Sequence, residues 1–200
     1  MTSFLTGLIA GFAIAMPPGA VTALIVRLGL QRGFRAALAA GSGTATVDGT
    51  YVVIAVVAGG AIVPLLGAAT GPLRLVTGLV LIGLGVLGIV RARRDAPPAA
   101  AETRRDLLAT YLRFVVITLV NPATLAYFIA IAFGLSGSVL TNAGAFVAGV
   151  FIASFSWHLL LALMSGSLHG RLGPRSRLAL ALMANAVVIA LGVRVLLQTQ

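Results

Sequence analysis

The feature that most constrains this chain is a series of six long apolar runs that are nearly free of charge. They are Phe4–Val26, Ala37–Gly59, Leu73–Val90, Leu112–Gly134, Ala143–Met164 and Leu178–Leu197. A bilayer core of about 30 Å needs roughly 20 apolar residues per helical span. Only 9% of the 200 residues are charged, so the chain cannot cover itself with a solvated surface. The sequence therefore predicts an all-α integral membrane protein with six transmembrane helices, which we number spans one to six.

The basic residues indicate how these spans are oriented. All fourteen are arginines, and twelve of them lie in the first, third and fifth connections, against two (Arg74 and Arg194) on the other side. The positive-inside rule then places these three connections in the cytoplasm and both termini outside. We interpret the net charge of +10 as a topology signal and expect no nucleic-acid partner. The expected location is the inner (plasma) membrane of a bacterial cell, crossed several times.

The two halves of the chain resemble each other. Pro18 in span one is followed 104 residues later by Pro122 in span four. A second match, at a spacing of 107 residues, pairs Gly78 with Asn185 in spans three and six, and Gly85 with Gly192. Because each half has an odd number of spans, the second copy enters the membrane from the opposite side, a plan common in secondary transporters. We predict a 3+3 inverted repeat that consists of residues 1–90, a cytoplasmic linker at 91–111, and residues 112–200.

Prolines interrupt spans one and four. Pro17, Pro18 and Gly19 stand together in span one, and Asn121 precedes Pro122 in span four. Proline removes a backbone hydrogen bond and clashes with the preceding turn, which predicts broken helices with unpaired amides and carbonyls. Paired broken helices near the bilayer midplane are typical of substrate sites. Simple packing kinks are the alternative, since proline kinks are common in spanning helices.

Asp48 is the one acidic residue inside the predicted spans. An intramembrane carboxylate is costly and normally faces a cavity or a partner, so we interpret Asp48 as a proton-coupling site. Gly41, Thr44, Asp48 and Tyr51 form one stripe on span two, which makes Thr44 a candidate substrate contact. A purely structural carboxylate, paired with arginine or with the amides of a broken helix, is the other interpretation.

Span five adds two further candidates. His158 is a candidate proton carrier, although a lone histidine in an apolar helix is more often a hydrogen-bonded core residue, and Trp157 is a candidate aromatic wall of the substrate cavity or a packing residue. Gly7 and Gly11 form a GxxxG pair. This pair indicates close helix packing, either inside the chain or between the subunits of a homodimer.

At these residues the sequence resembles the LysE/RhtB family of amino acid exporters. The matching features are the segments Pro17–Ala20 and Leu28–Gly33, Asp48 in a small-residue helix, the Asn121-Pro122 motif and the helix that contains Gly192. The resemblance implies efflux of amino acids or similar small polar solutes, driven by protons. It also implies that Pro17, Pro18, Gly19, Asn121 and Pro122 shape the substrate site. Pro18 and Ala123 depart from the usual family pattern, which leaves the substrate open.

Other functional classes fit the sequence less well. An enzyme would need several carboxylates, a metal cluster or an activated nucleophile, and one Asp with one distant His does not form such a set. The chain has no cysteine, which excludes a dithiol electron carrier. A metal-cation exporter of the same broad superfamily and a non-transport structural membrane protein remain as alternatives. We expect no cofactor, and we expect the solute, protons and the lipid bilayer as partners.

Overall fold

The computed structural model describes residues 2–17, 19–58, 75–76, 78–90, 103–134, 142–169 and 173–197. Within these residues the regular structure is helical. We number the helices along the chain as α1 Thr2–Ala15, α2 Ala20–Arg32, α3 Phe34–Ala58, α4 Gly78–Val90, α5 Arg104–Leu119, α6 Pro122–Gly134, α7 Ala143–Leu168 and α8 Pro174–Leu197. The predicted all-helical class is confirmed for the described part of the chain.

Two of these helices, α3 and α7, are individually long and apolar enough to cross a bilayer. Two further stretches meet the same criterion only as pairs: α1 with α2, bent by 76°, and α5 with α6, bent by 60°. The described residues thus contain two candidate membrane spans, or up to four if each bent pair is one span. The six-span repeat stays a prediction.

Both bends coincide with the prolines that the sequence singles out. The first junction (residues 16–19) separates α1 from α2 and contains Pro17, while Pro18 lies outside the described residues. The second junction (residues 120–121) separates α5 from α6, and Pro122 is the first residue of α6. Proline suits a first helical position because its missing N–H would have no intrahelical partner there. Pro122 therefore starts a new helix, whereas Pro17 lies within the junction that separates α1 from α2.

Helix α5 begins within the stretch that we interpreted as a linker. The Thr103 side chain accepts a hydrogen bond from the Asp106 backbone N–H at 3.2 Å, and Asp106 Oδ2 accepts one from the Thr103 N–H at 3.0 Å. This reciprocal capping box satisfies two amides at the helix start. The apolar run in the sequence begins only at Leu112, because the first turn of α5 is charged. The sequence-based boundary is therefore eight residues later than the observed start at Arg104. Residues 91–102 of the predicted linker lie outside the described residues.

Glycines bring α1 into close contact with α7. A Cβ at Gly7 would overlap the Phe146 carbonyl oxygen, and a Cβ at Gly11 would lie 2.7 Å from the Ala153 Cβ. On α7, Gly149 faces the backbone of α1 in the same way. The GxxxG pair therefore serves packing inside the chain, and it gives no support to a homodimer.

Helices α4 and α8 also meet at small residues. A Cβ at Gly78 would lie 3.1 Å from the Gly192 carbonyl oxygen, and a Cβ at Gly85 would lie 3.1 Å from the Asn185 carbonyl oxygen. The Asn185 side chain also accepts a hydrogen bond from Arg27 Nη1 on α2. These contacts join α2, α4 and α8 on one side of the molecule.

Helix α3 lies between α5 and α7 and carries much of the buried core. The larger core cluster consists of Ala20, Val21, Leu24, Ile25, Ala37, Ala40, Leu81, Phe114, Ile117, Ala162 and Val188. A second cluster consists of Val52, Phe128, Phe146 and Val150. The middle of α3, which includes Asp48, lies between these clusters along the chain, and the helix contacts α2, α5, α6 and α7.

Candidate functional site

Asp48 is buried between α3 and α7. Only 3% of its surface is exposed, and its Oδ2 accepts a hydrogen bond from Ser154 Oγ at 2.6 Å. A short hydrogen bond to a carboxylate is among the stronger side-chain interactions. It gives the buried acid a polar partner in an apolar setting, which an intramembrane carboxylate requires.

His158 continues this polar group by one helical turn. Its Nδ1 lies 2.8 Å from the Ser154 carbonyl oxygen and 3.3 Å from Ser154 Oγ. Because a carbonyl oxygen can only accept, Nδ1 carries the hydrogen in this arrangement. The side chain is buried and its Cβ lies 2.8 Å from the Cβ that Gly41 would carry. Asp48, Ser154 and His158 thus form one hydrogen-bonded chain, which we call the polar triad.

Thr44 lies one turn from Asp48 and faces α5. Its hydroxyl donates to the Ala40 carbonyl at 3.2 Å and accepts from Thr118 Oγ1 at 3.3 Å. Both threonines are buried. The predicted substrate contact is therefore engaged in a polar link between α3 and α5, close to the second junction.

Tyr51 completes the stripe and reaches the second junction itself. Its hydroxyl donates to the Leu119 carbonyl at 2.6 Å, and its ring lies 5.5 Å from the Phe128 ring, at an interplanar angle of 45°. Leu119 is the last residue of α5 and Phe128 belongs to α6. Tyr51 therefore contacts both helices that meet at this bend.

Asn121 caps the start of α6. Its Oδ1 accepts from the Ala123 N–H at 3.1 Å, and its own carbonyl accepts from the Leu125 N–H at 3.1 Å. A side-chain oxygen in this position satisfies one of the amides that a helix start leaves unpaired. Asn121 and Pro122 thus shape the second junction together, while their contact with a solute stays a prediction.

The first junction is built differently. Gly19 precedes α2 in an extended conformation, with φ −133° and ψ 179°, and the helix start has no side-chain hydrogen bond at its cap. Among the described residues, no hydrogen bond joins Pro17 or Gly19 to the polar triad. The structure therefore brings Thr44, Asp48, His158 and the second junction together, and it gives no such contact for the first junction.

Trp157 is half-buried on α7, next to His158 in the chain. Its Nε1 is shielded from solvent and has no hydrogen-bond partner within the described part of the molecule. Such a donor usually finds a partner when buried. Its role in a cavity wall stays a prediction.

Two contributors were not among the predicted site residues. Ser154 carries the central hydroxyl of the polar triad, and Thr118 pairs with Thr44. Ser154 stands 106 residues after Asp48, which is close to the repeat spacings of 104 and 107 in the sequence. The clearer sequence signal is its position one helical turn before His158, on the same face of the helix. No group of three or more His, Cys, Asp or Glu that could hold a metal ion occurs in the described ranges.

Comparison with known proteins identifies the family. The model of the LysE type translocators matches residues 12–199. The chain is also 32% identical, over 164 residues and 77% of each chain, to the chemotactic transduction protein ChpE of Pseudomonas aeruginosa. No solved structure matches the chain. With its apolar helices and a family match over nearly its whole length, this chain belongs to the LysE family of membrane translocators.

Proposed function

We propose that this chain is a secondary active transporter that exports amino acids or similar small polar solutes across the bacterial inner membrane, in exchange for protons. Family membership makes it a membrane transport protein. The solute class and the coupling to protons are our proposal. The observation that carries them is the buried hydrogen-bonded chain of Asp48, Ser154 and His158 between two long apolar helices.

We further propose that each bent pair is one broken span, so that six spans form a 3+3 inverted repeat with a linker at 91–111. In an inverted repeat, equivalent residues exchange places across a pseudo-twofold axis. With a spacing of 107 residues, the contact of Gly78 with Gly192 maps onto a contact of Asn185 with Gly85, and both contacts occur. Any antiparallel helix pair gives this reciprocity, so the support for the repeat is the pair of spacings of 104 and 107 residues in the sequence.

The central helices fit the same symmetry. Asp48 and Ser154 are 106 residues apart, one short of the 107-residue spacing, so the proposed repeat makes them nearly equivalent positions on α3 and α7. Nearly equivalent residues that touch each other lie close to the symmetry axis. The hydrogen bond between them would then sit at the interface of the two halves, where such transporters hold their substrate and coupling ions.

The polar triad has the right order of groups to move a proton. If His158 gains a second proton at Nε2, its Nδ1 proton can pass to Ser154 while the Ser154 hydroxyl proton passes to Asp48, since each pair is within hydrogen-bond reach. His158 is then left neutral with its hydrogen on Nε2, and Asp48 is protonated. A carboxylate in low dielectric is tolerable only while it is partnered or protonated. Alternating access can therefore link the protonation of Asp48 to the passage of the solute.

The junctions offer groups for the solute. A helix start favours a carboxylate, and a helix end favours an ammonium group. The Ala123 N–H and the Leu119 carbonyl already have side-chain partners, so the solute would bind the other amides and carbonyls that a helix end leaves without an intrahelical partner. We propose that Pro17, Pro18, Gly19, Asn121 and Pro122 shape these ends, with Thr44 and Trp157 beside the passage. A zwitterionic amino acid carries both of these groups, a carboxylate and an ammonium group. Metal-cation export is the second candidate function. The described residues of this chain contain no cluster of three His, Cys, Asp or Glu that could bind such a cation.

The solute class is tested by flux into everted vesicles that contain the protein. A panel of radiolabelled amino acids, dipeptides and divalent cations is offered with and without an imposed pH gradient. Uptake of one or more amino acids that requires both the protein and the gradient would support the proposal. Uptake of divalent cations alone would favour the metal exporter.

Asp48→Asn tests the coupling directly. Asparagine keeps the shape and can still accept the Ser154 hydrogen bond, but it cannot titrate. We expect the variant to insert and fold normally, to lose concentrative transport driven by a pH gradient, and to retain slow exchange of solute down its own gradient. The measurement is flux in proteoliposomes at matched protein density.

Asp106→Asn is the matched control, because it removes an exposed carboxylate from the cap of α5 and leaves the buried triad intact. Its gradient-driven flux should stay at the parental rate. If Asp48→Asn also concentrates solute at that rate, Asp48 is a structural residue and the coupling proposal is wrong.

A further inference from the structure

We propose that Tyr51 and Asn121 form a lock that holds the second junction bent, and that release of this lock lets α5 and α6 approach a continuous helix. The role of this motion in transport rests on the proposed function. The lock itself is a claim about the structure, and it can be tested separately.

The lock follows from a hydrogen bond that is missing at the junction. In a continuous helix the Ala123 N–H would donate to the Leu119 carbonyl, because each amide bonds the carbonyl four residues earlier. At the bend each half of this pair has a side-chain partner instead. Asn121 Oδ1 accepts from the Ala123 N–H at 3.1 Å, and the Tyr51 hydroxyl donates to the Leu119 carbonyl at 2.6 Å.

Both side chains are therefore needed to compensate for one broken bond. Both bonds lie at the exposed surface, and the proposed function places that surface in the bilayer, where an unpaired backbone group is costly. The bend is then favoured while both ends are satisfied. If Tyr51 withdraws, the Leu119 carbonyl regains a partner most simply by recapturing the Ala123 N–H. The resulting form keeps only the kink that Pro122 imposes by lacking an N–H.

Tyr51 also fixes the direction of the bend. Its hydroxyl is bound to the end of α5, while its ring packs against Phe128 on α6. A side chain that contacts both arms of a bend sets the angle between them. Tyr51 is thus a positioning residue for the second junction.

The position of Tyr51 connects the lock to the polar triad. Tyr51 lies three residues after Asp48 on α3, and the Thr44–Thr118 hydrogen bond links the same helix to the turn that precedes Leu119. A shift of α3 that accompanies a change at Asp48 would reach the second junction through these two contacts. The lock gives a physical route from protonation to helix geometry.

The test measures the bend with a pair of spin labels. The chain has no native cysteine, so labels attach only at introduced ones. Leu108 on α5 and Ala126 on α6 are exposed and suit labelling. An unbent helix would place them about 27 Å apart, and the bend shortens this distance. We expect Tyr51→Phe, in lipid nanodiscs, to add a population that is longer by a few ångströms.

Tyr111→Phe is the matched control. Tyr111 also joins α5 to α3, through a hydrogen bond of 3.0 Å from its hydroxyl to Thr46 Oγ1, but it lies two turns before the junction. Each variant removes one tyrosine hydroxyl that links the same two helices. The control should keep the parental distance distribution.

Asn121→Ala is the second lock variant, and it should add the same longer population. If Tyr51→Phe and Asn121→Ala both show the parental distances, the proposal is overturned. If one of them fails to fold, the other decides alone. A longer distance in Tyr111→Phe as well would also overturn it, since any loosening of α5 from α3 would then suffice.

Flux measurements separate the lock from the transport proposal. If the parental protein transports a solute, Tyr51→Phe should slow its flux several-fold more than Tyr111→Phe does. If the parental protein transports nothing in the panel, the proposed function fails while the distance measurement still tests the lock.

Discussion

The two helix junctions differ in how they treat the backbone groups that an interrupted helix leaves without partners. At the first, α2 starts from Gly19 without a side-chain cap, and the preceding helix α1 is packed through Gly7 and Gly11 directly onto α7. At the second, Asn121 and Tyr51 provide side-chain partners for the backbone groups that the bend leaves unpaired.

This difference indicates which junction can change shape. Close backbone packing depends on many van der Waals contacts, which are lost when the helices separate. A side-chain hydrogen bond can be exchanged for the backbone bond that it replaces. We infer that the bent pair of α1 and α2 is held rigidly against α7, and that the bent pair of α5 and α6 is the part that moves.

The largest expected effect comes from filling the close contact at the first pair. In Gly7→Val the new side chain would collide with the Phe146 backbone, which cannot move aside without shifting α7. We expect a loss of at least about 3 kcal/mol of stability, at the upper end for overpacked interiors. The amount of monodisperse protein and its melting temperature measure this loss.

Gly144→Ala on α7 is the control for that change. A Cβ there would meet nothing within 4 Å, so the variant should behave as the parent. Normal yield and melting temperature for Gly7→Val would show that the α1–α7 contact is loose. The contrast between the two junctions would then be lost.

A smaller effect is expected from removing the cap at the second junction. Asn121→Ala should lower the free energy of unfolding by about 1 kcal/mol, the usual cost of losing a side-chain helix cap. Asn121→Ser keeps a hydroxyl acceptor and should recover most of this difference. Denaturation in matched detergent measures both variants. Equal stability of Asn121→Ala and the parent would argue that the cap contributes nothing.

The smallest effect tests whether the first junction lacks a cap. Gly19 is extended, so other residues can adopt its conformation, and a Cβ there would approach only the Pro17 carbonyl, at 3.9 Å. Gly19→Ser should therefore add a cap and raise stability by a few tenths of a kcal/mol. Gly19→Ala, which cannot cap, should give no gain. A gain in both variants would instead indicate reduced flexibility of the unfolded chain.

Much of the fold was predictable because the bilayer imposes strict local rules. Long apolar runs must be helical, since lipid offers no partner for an open backbone. The prolines at 17 and 122 mark the junctions because their chemistry acts on the same turn of the chain. The start of α5 was missed, since its first turn is charged and only the capping box of Thr103 and Asp106 identifies it.

The sequence alone indicated a helical membrane protein, prolines at two interruptions of its apolar runs, and a buried acid at Asp48. Tertiary structure decided which groups face that acid: Ser154 is 106 residues away, and the partner of Tyr51 is a backbone carbonyl 68 residues away. Hydropathy and proline chemistry act locally, so they can be read from neighbouring residues. The partners of a buried polar group depend on how whole helices pack, and packing is settled by small residues such as Gly7, Gly11 and Gly41 that allow the helices to approach.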